Sequence, residues 1–523
     1  MRLAKFLPFL LCVCAGSAFA QEDILLLKDG RMFDGLNMER TENGIVVHYA
    51  AGDVEVPPEL IEEALLMGEA PQPYEPKNAE ERAKVEEGLM PFEGKWVTVQ
   101  ARDRAIQKRV AERRASIAEI EEHAIWRNRY KVKTKYFNFE HTIPPFVFDR
   151  YSTLMEAYFG AFCKEWKVKP QKGYGLDPKD TRLLVCFYND RELFHQVSGA
   201  GASTLGYFRF VKPLELDIFY DRLDPSSTEE VMFHEANHYL QKLINVEFSY
   251  PHWPGEALAE YYGASKWDPK KKKLESGLIL EGRLTEVKTD IAKGDWMSLD
   301  RMLTERMYQH YTWGWTFVHF LMNDKRYEKK FRKFYVGLAN DKKVKREHVG
   351  VDNLRTVDQA EVKDVLLRYL GIKGEEAFLK LEGEWHAYVR DDLHVTSSHG
   401  LEKAADNALR YDRPIRAKRL FEEAMEKGGE SALAHHKFAE LLTSGRLSSK
   451  QKAENWVAAQ GHWKTAIERS PMTGEYYFAF GEALFDNGEV KEGLRMQKLA
   501  AEIDPANVRV RLKIEEVIQD SND

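Results

Sequence analysis

Two histidines four residues apart, His234 and His238, with Glu235 directly after the first, restrict this chain more than any other feature. On a helix, positions four apart share a face, so both imidazoles can reach one metal ion. The intervening glutamate then lies where a general base for an activated water belongs. Asp224-Pro225-Ser226-Ser227-Thr228 predicts a turn and N-cap, and no glycine or proline follows through about Ile244. The motif therefore sits in mid-helix, as a zinc-binding helix of a metallopeptidase requires. The competing expectation is an ordinary amphipathic helix with two satisfied histidines.

A catalytic zinc site needs a third protein ligand and an open position. A metzincin would supply a glycine and a third histidine, but Gln241 and Ile244 occupy those places and exclude that class. Downstream lies Trp253-Pro254-Gly255-Glu256-Ala257-Leu258-Ala259-Glu260-Tyr261-Tyr262. Pro254-Gly255 predicts a turn, and a second helix beginning at about Glu256 can return a carboxylate to the metal. His252 competes for that role by residue type.

This segment resembles the gluzincin zinc metallopeptidases, of the aminopeptidase N and thermolysin types. Their second helix opens with a pattern like W-L-N-E-G-x-A, which Trp253, Glu256 and Ala259 match. Pro254, Gly255 and Ala257 depart from it, and the gap from His238 is one residue shorter than in aminopeptidase N. The resemblance implies that Glu256 is the third Zn2+ ligand. It implies that Glu260, one turn later, is the carboxylate partner of a ligating histidine such as His234. It further implies a tyrosine that stabilises the oxyanion, matched by Tyr311 in Tyr311-Thr312-Trp313-Gly314, with Tyr308 and His310 as nearby substitutes. The glutamate with which such aminopeptidases hold a free amine is missing from Gly199-Ala200-Gly201-Ala202-Ser203, so a standard aminopeptidase is not expected. The chain is similar to exported bacterial gluzincins of the peptidase MA-like type over roughly half its length.

The N-terminus combines Arg2 and Lys5, an apolar run from Phe6 to Val13, and Ala18-Phe19-Ala20. This predicts a signal peptide over residues 1–20 and export to the periplasm or beyond in a bacterium. The apolar run is too short to span a membrane, and no later segment is apolar enough. Cys163 and Cys186 remain, and the spacing leaves a disulfide and a pair of free thiols equally open. The formal charge of −7 is spread among interspersed acids and bases, which argues against a nucleic-acid partner.

The predicted fold class is α+β and multidomain. Residues 21–70 read as a small β module, with Ile24–Leu27 leading into the hairpin signal Asp29-Gly30, strands at Gly44–Tyr49 and Asp53–Val56, and a stop at Pro57-Pro58. Residues 71–129 read as a charged helical linker, helical from Arg102 to about Arg127. Residues 130–395 read as a thermolysin-like α+β metallopeptidase domain. Its expected strands are Tyr130–Phe137, Leu183–Tyr188, Thr204–Phe210 and Leu214–Phe219, with a helix at Phe148–Trp166. The strand near Tyr207 is a candidate edge for an extended substrate. Residues 396–523 read as tetratricopeptide-like helical repeats. Pro471 and Pro505 are one 34-residue repeat apart, and Phe480-Gly481, Gly493 and Ala500 fall where that repeat needs its large and small residues.

The expected activity is zinc-dependent hydrolysis of a peptide or protein substrate, with a possible protein partner on the repeats. The first rival is a non-catalytic envelope scaffold built on the same fold. The second is another zinc hydrolase reaction on a small amide or ester.

Overall fold

A computed structural model describes residues 23–504, apart from 68, 71–73, 174–176, 178, 269, 351–352, 430 and 448–451. The expected signal peptide and Pro505 lie outside the described residues. The chain is mixed α and β and divides into two compact units, Met1–Ile117 and Ala118–Asp523.

In the first unit, β1 (Asp23–Leu27), β2 (Met32–Thr41), β3 (Gly44–Tyr49), β4 (Gly52–Val56) and β5 (Ile61–Leu65) form an antiparallel sheet in the order β4-β3-β2-β1-β5. The β1 residues are all buried, and both of its edges are paired. Pro57-Pro58 therefore interrupts the sheet without ending it. One 3-10 turn follows, and β5 returns to pair with β1. Next come α1 (Ala79–Glu86), a hairpin of β6 (Leu89–Phe92) and β7 (Lys95–Thr98), and α2 (Val99–His123), whose last turns fall past the unit boundary at Ile117. The expected connecting helix is a packed element in its first half, because Val110 closes a small core with Ile24 and Leu65.

The second unit opens with β8 (Tyr130–Lys133) and β9 (Phe137–His141), an antiparallel hairpin where one strand was expected. Thr134 N–H donates to Phe137 O and reverses the chain between them. Then follow α3 (Pro145–Trp166), β10 (Leu183–Tyr188), α4 (Arg191–Ser198), β11 (Gly206–Arg209) and β12 (Glu215–Phe219). The sheet order is β11-β12-β10-β9-β8, with β10 parallel to both neighbours and β11 antiparallel at the edge. Alternation along β10 sends Leu183, Val185 and Phe187 into the main core with α3, and Leu184, Cys186 and Tyr188 toward Phe194 of α4. Cys163 and Cys186 are both free thiols.

The helices α5 (Pro225–Lys242) and α6 (His252–Gly263) come next, then a short hairpin of β13 (Lys266–Asp268) and β14 (Lys273–Glu275). A helical array follows: α7 (Glu281–Ala292), α8 (Leu299–Thr304), α9 (Trp313–Asn323) and α10 (Glu328–Asn340). After the short β15 (Glu347–His348) and β16 (Arg355–Thr356) it continues with α11 (Gln359–Leu370) and α12 (Gly374–Asp391). Trp253, Trp313, Trp315 and Trp385 are fully buried at its centre. The tail pairs α13 (Ser398–Arg410) with α14 (Pro414–Glu426), α15 (Ala432–Thr443) with α16 (Lys452–Arg469), and α17 (Gly474–Asp486) with α18 (Val490–Ile503). No helix among the described residues is long and apolar enough to cross a membrane.

Candidate metal centre

Asp224 caps α5, its carboxylate accepting from Ser227 N–H at 3.1 Å, with Pro225 at the first helical position. Three contacts then fix the helix. Asn237, fully buried inside the histidine motif, donates to Tyr158 OH on α3 at 2.7 Å. Gln241 donates both to Asn237 Oδ1 at 2.8 Å and to Gly255 O on α6 at 3.0 Å. On the sheet side, Gly206 at the start of β11 lies directly against Val231 and Glu235.

The second helix starts earlier than expected. The predicted turn at Pro254-Gly255 is instead the first turn of α6, which runs from His252. Proline is tolerated there because the first N–H groups of a helix have no internal acceptor. Glu256 therefore sits one full turn into α6, facing α5.

There the ligand atoms meet. His234 Nε2 lies 3.3 Å from His238 Nε2 and 3.3 Å from Glu256 Oε2, and His238 Nε2 lies 3.4 Å from the same oxygen. Among the described residues, this is one of two such groups, the other being Cys186, Glu215 and Asp217 across the sheet. A tetrahedral ion with ligand bonds of about 2.0–2.1 Å has ligand–ligand edges of about 3.3–3.4 Å. The triangle of His234, His238 and Glu256 has those edges, and its donor set of two imidazoles and one carboxylate suits zinc. The residues fit the ion.

Electrostatics support a negatively charged ligand at position 256. Burial works against its ionisation, but His238 and His234 outweigh that and hold the Glu256 carboxyl well below the usual carboxylate range. His234 shows the converse. Burial lowers its basicity, yet Glu256, Glu260 and Glu235 together push it up to about 9. Glu260 Oε1 stands 3.6 Å from His234 Nδ1 and is held in turn by Arg283, with Nη2 to Oε1 at 2.9 Å and Nε to Oε2 at 3.3 Å. Arg283 also donates to Tyr308 OH at 2.9 Å and lies over the Tyr311 ring, 5.7 Å from its centroid.

The structure brings the other sequence-derived candidates to the same place. Glu235, Tyr311 and the three ligand residues line one cavity of about 430 Å³, walled by Gly206, Tyr207 and Phe208 on one side and the 248–252 segment on the other. The Tyr311 ring is 6.1 Å from that of His234. Burial, then the Glu256 carboxylate, raise its phenol above the ordinary tyrosine range, so it stays protonated and able to donate. His252 lines the cavity but stands outside the ligand triangle. Its Nδ1 is 2.6 Å from His310 Nδ1, and His310 Nε2 is 2.9 Å from Met302 O. Burial, then His252, push His310 down to about 4, so it is neutral. It donates to Met302 O through Nε2 and accepts from His252, which removes His310 from the candidate oxyanion donors. Tyr308 accepts from Arg283 and does not line the cavity.

Arg283, Asn237, Gln241 and Gly206 were not foreseen as part of the site. Each acts through a partner distant in sequence, and none carries a local motif. Comparison with family models, with curated proteins and with solved structures finds no match to this chain.

Proposed function

We propose that this protein is an exported zinc-dependent metallopeptidase of the gluzincin kind, with a thermolysin-like catalytic domain and tetratricopeptide-like repeats in its tail. The observation that carries the reading is the His234–His238–Glu256 triangle of ligand atoms, opening on a cavity that Glu235 and Tyr311 also line.

His234, His238 and Glu256 would hold the ion, which when bound supplies a Lewis acid for the scissile carbonyl and acidifies water. Glu235 takes the proton of the attacking water and delivers it to the departing amine. Tyr311, kept protonated, donates to the oxyanion that develops on the carbonyl oxygen. Glu260, 3.6 Å from His234 Nδ1, attracts that edge of the ring and favours the orientation in which Nε2 faces the ligand triangle, and Arg283 fixes Glu260. β11, which lies beside Glu235 and among the described residues is the edge strand of its sheet, offers a backbone rim for an extended substrate.

The test is metal content and turnover together. Purified protein should carry about one zinc per chain, lost in His234→Ala and in Glu256→Ala. Glu235→Gln should keep the zinc and lose turnover of a peptide library by roughly 10²–10⁴-fold. A chain that stays metal-free after zinc loading sinks the reading and leaves the fold as a scaffold. Full turnover in Glu235→Gln sinks the assigned base.

A further inference from the structure

We propose that the groove between α7 and α14 is a docking site for an acidic peptide segment. It is a feature of the second unit separate from the metal-ligand cavity, and shares no lining residue with it. Its volume, about 1250 Å³, exceeds the roughly 300–1,000 Å³ of ordinary small-molecule pockets and suits a length of chain. The buried Leu401 of α13 and Leu420 of α14 contribute an apolar lining.

The lining charge is one-sided. Five lysines and arginines face two carboxylates, in a protein whose net charge is −7. Arg416 and Arg419, three residues apart on α14, share one side of the helix, and Arg413 is the residue just before its first turn. Lys288 and Lys293 come from α7 and the residue that ends it. Some of this charge is structural: Lys288 donates to Val389 O and Arg390 O, and Arg416 Nη2 donates to Thr289 Oγ1 at 3.0 Å, joining the two walls. The rest is unanswered. Arg416 Nε is buried with no hydrogen-bond partner, and Lys293, Arg413 and Arg419 have no ion-pair partner among the described residues. Burial weighs most against the charge on Arg416; Glu286 and Asp290 favour it, while Arg413 and Arg419 oppose it, so an incoming carboxylate adds a further countercharge to this cluster.

The same lining selects peptide over nucleic acid. It contains no tyrosine, tryptophan or phenylalanine on which a base could stack. Asp290, whose carboxylate accepts from Trp313 Nε1 at 3.0 Å, and Glu423 would repel a continuous phosphate backbone, whereas each can accept a peptide N–H. Ile415, 80 % exposed at the rim, adds an apolar contact for a side chain between acidic residues.

The experiment titrates full-length Glu235→Gln protein, so that cleavage does not intervene, into a short fluorescein-labelled peptide alternating glutamate and alanine, read by anisotropy. Saturable binding that weakens with added salt is expected. The double variant Arg413→Glu, Arg419→Glu, at two exposed positions, should weaken it at least about tenfold, while Lys345→Glu outside the groove should not. Should thermal melts show the double variant misfolded, the single Ile415→Glu variant should produce the same loss. No saturable binding, binding undiminished by these groove variants, or equally tight and equally sensitive binding of an oligothymidylate of matching length would each overturn the proposal.

Discussion

Gly206 stands so close to Glu235 that a β-carbon on it would lie 2.9 Å from Glu235 Cγ and 2.5 Å from Val231 Cγ1. The edge strand and the motif helix can approach this closely only because residue 206 has no side chain. Gly206→Ala must therefore move either β11 or the Glu235 carboxylate. The three ligand residues lie outside this contact, so zinc content should hold near the wild-type value. Turnover should fall by roughly 10²-fold, the penalty of misplacing a reacting group by about 1 Å. Wild-type kcat in a zinc-loaded Gly206→Ala protein would show that the contact does not position the base.

The carboxylate behind His234 gives a second expectation. Glu260 reaches both His234 Nδ1 and Arg283, so it sets the ring while being itself set. Glu260→Gln and Arg283→Met should each lower zinc affinity by roughly 10–100-fold without removing a ligand atom, measured by competition with a chelator. Arg283→Met should have the smaller effect, because it acts through Glu260. Equal affinity in all three proteins would reduce this network to a structural ion pair.

How far the site was legible follows from how local each part is. His234 and His238 share one helical face with Glu235 beside them, all within five residues, and Glu256 and Glu260 share the next helix, so spacing and a family pattern reach them. Arg283 lies on an ordinary mixed-charge helix, and only folding brings it to Glu260. Asn237 occupies a variable place in the motif, and its function in packing depends on Tyr158 of α3. The fold shows the same divide. Leu183–Tyr188 is apolar throughout and reads as a buried strand, whereas Ile61-Glu62-Glu63-Ala64-Leu65 has the composition of a helix. It is a strand because β1, buried along its whole length, needs a partner on its second edge. Pro254 reads as a turn residue in the sequence because a proline in the first turn of a helix and a proline before one look alike there.

Asp217 provides a pH test away from the centre. Burial first, then the Glu215 charge, raise its carboxyl from the ordinary 3.8 to about 7, while Tyr188 OH donates to it at 2.8 Å. The folded protein thus holds a proton here that the unfolded chain releases near its ordinary value. Stability from this group is present below about pH 4 and is lost as the pH rises through about 7. Asp217→Asn keeps an acceptor for Tyr188 and removes the titration. Its melting temperature should match wild type near the acid end of the window and exceed it above the upper end. Parallel pH profiles for the two proteins would contradict the buried neutral carboxyl.

Gly481 and Gly493 mark where α17 and α18 cross. A β-carbon on Gly493 would lie 2.9 Å from Gly481 O, and one on Gly481 would lie 2.9 Å from Gly493 O. Each contact is against backbone, which cannot rotate away, so a side chain here must separate the helices. The helices bury Phe480, Leu484, Met496 and Leu499, and their separation would open that packing. Replacing glycine with alanine in a helix interior gains about 1 kcal/mol from propensity, which would mask part of the cost. Valine has the steric bulk with less of that gain, so Gly493→Val is the cleaner variant. It should destabilise the tail by about 1–3 kcal/mol and appear in calorimetry as a lowered transition. Zinc content should be unchanged, since the ligands belong to α5 and α6. An unchanged melting profile would mean that the crossing tolerates a wider separation than its two glycines imply.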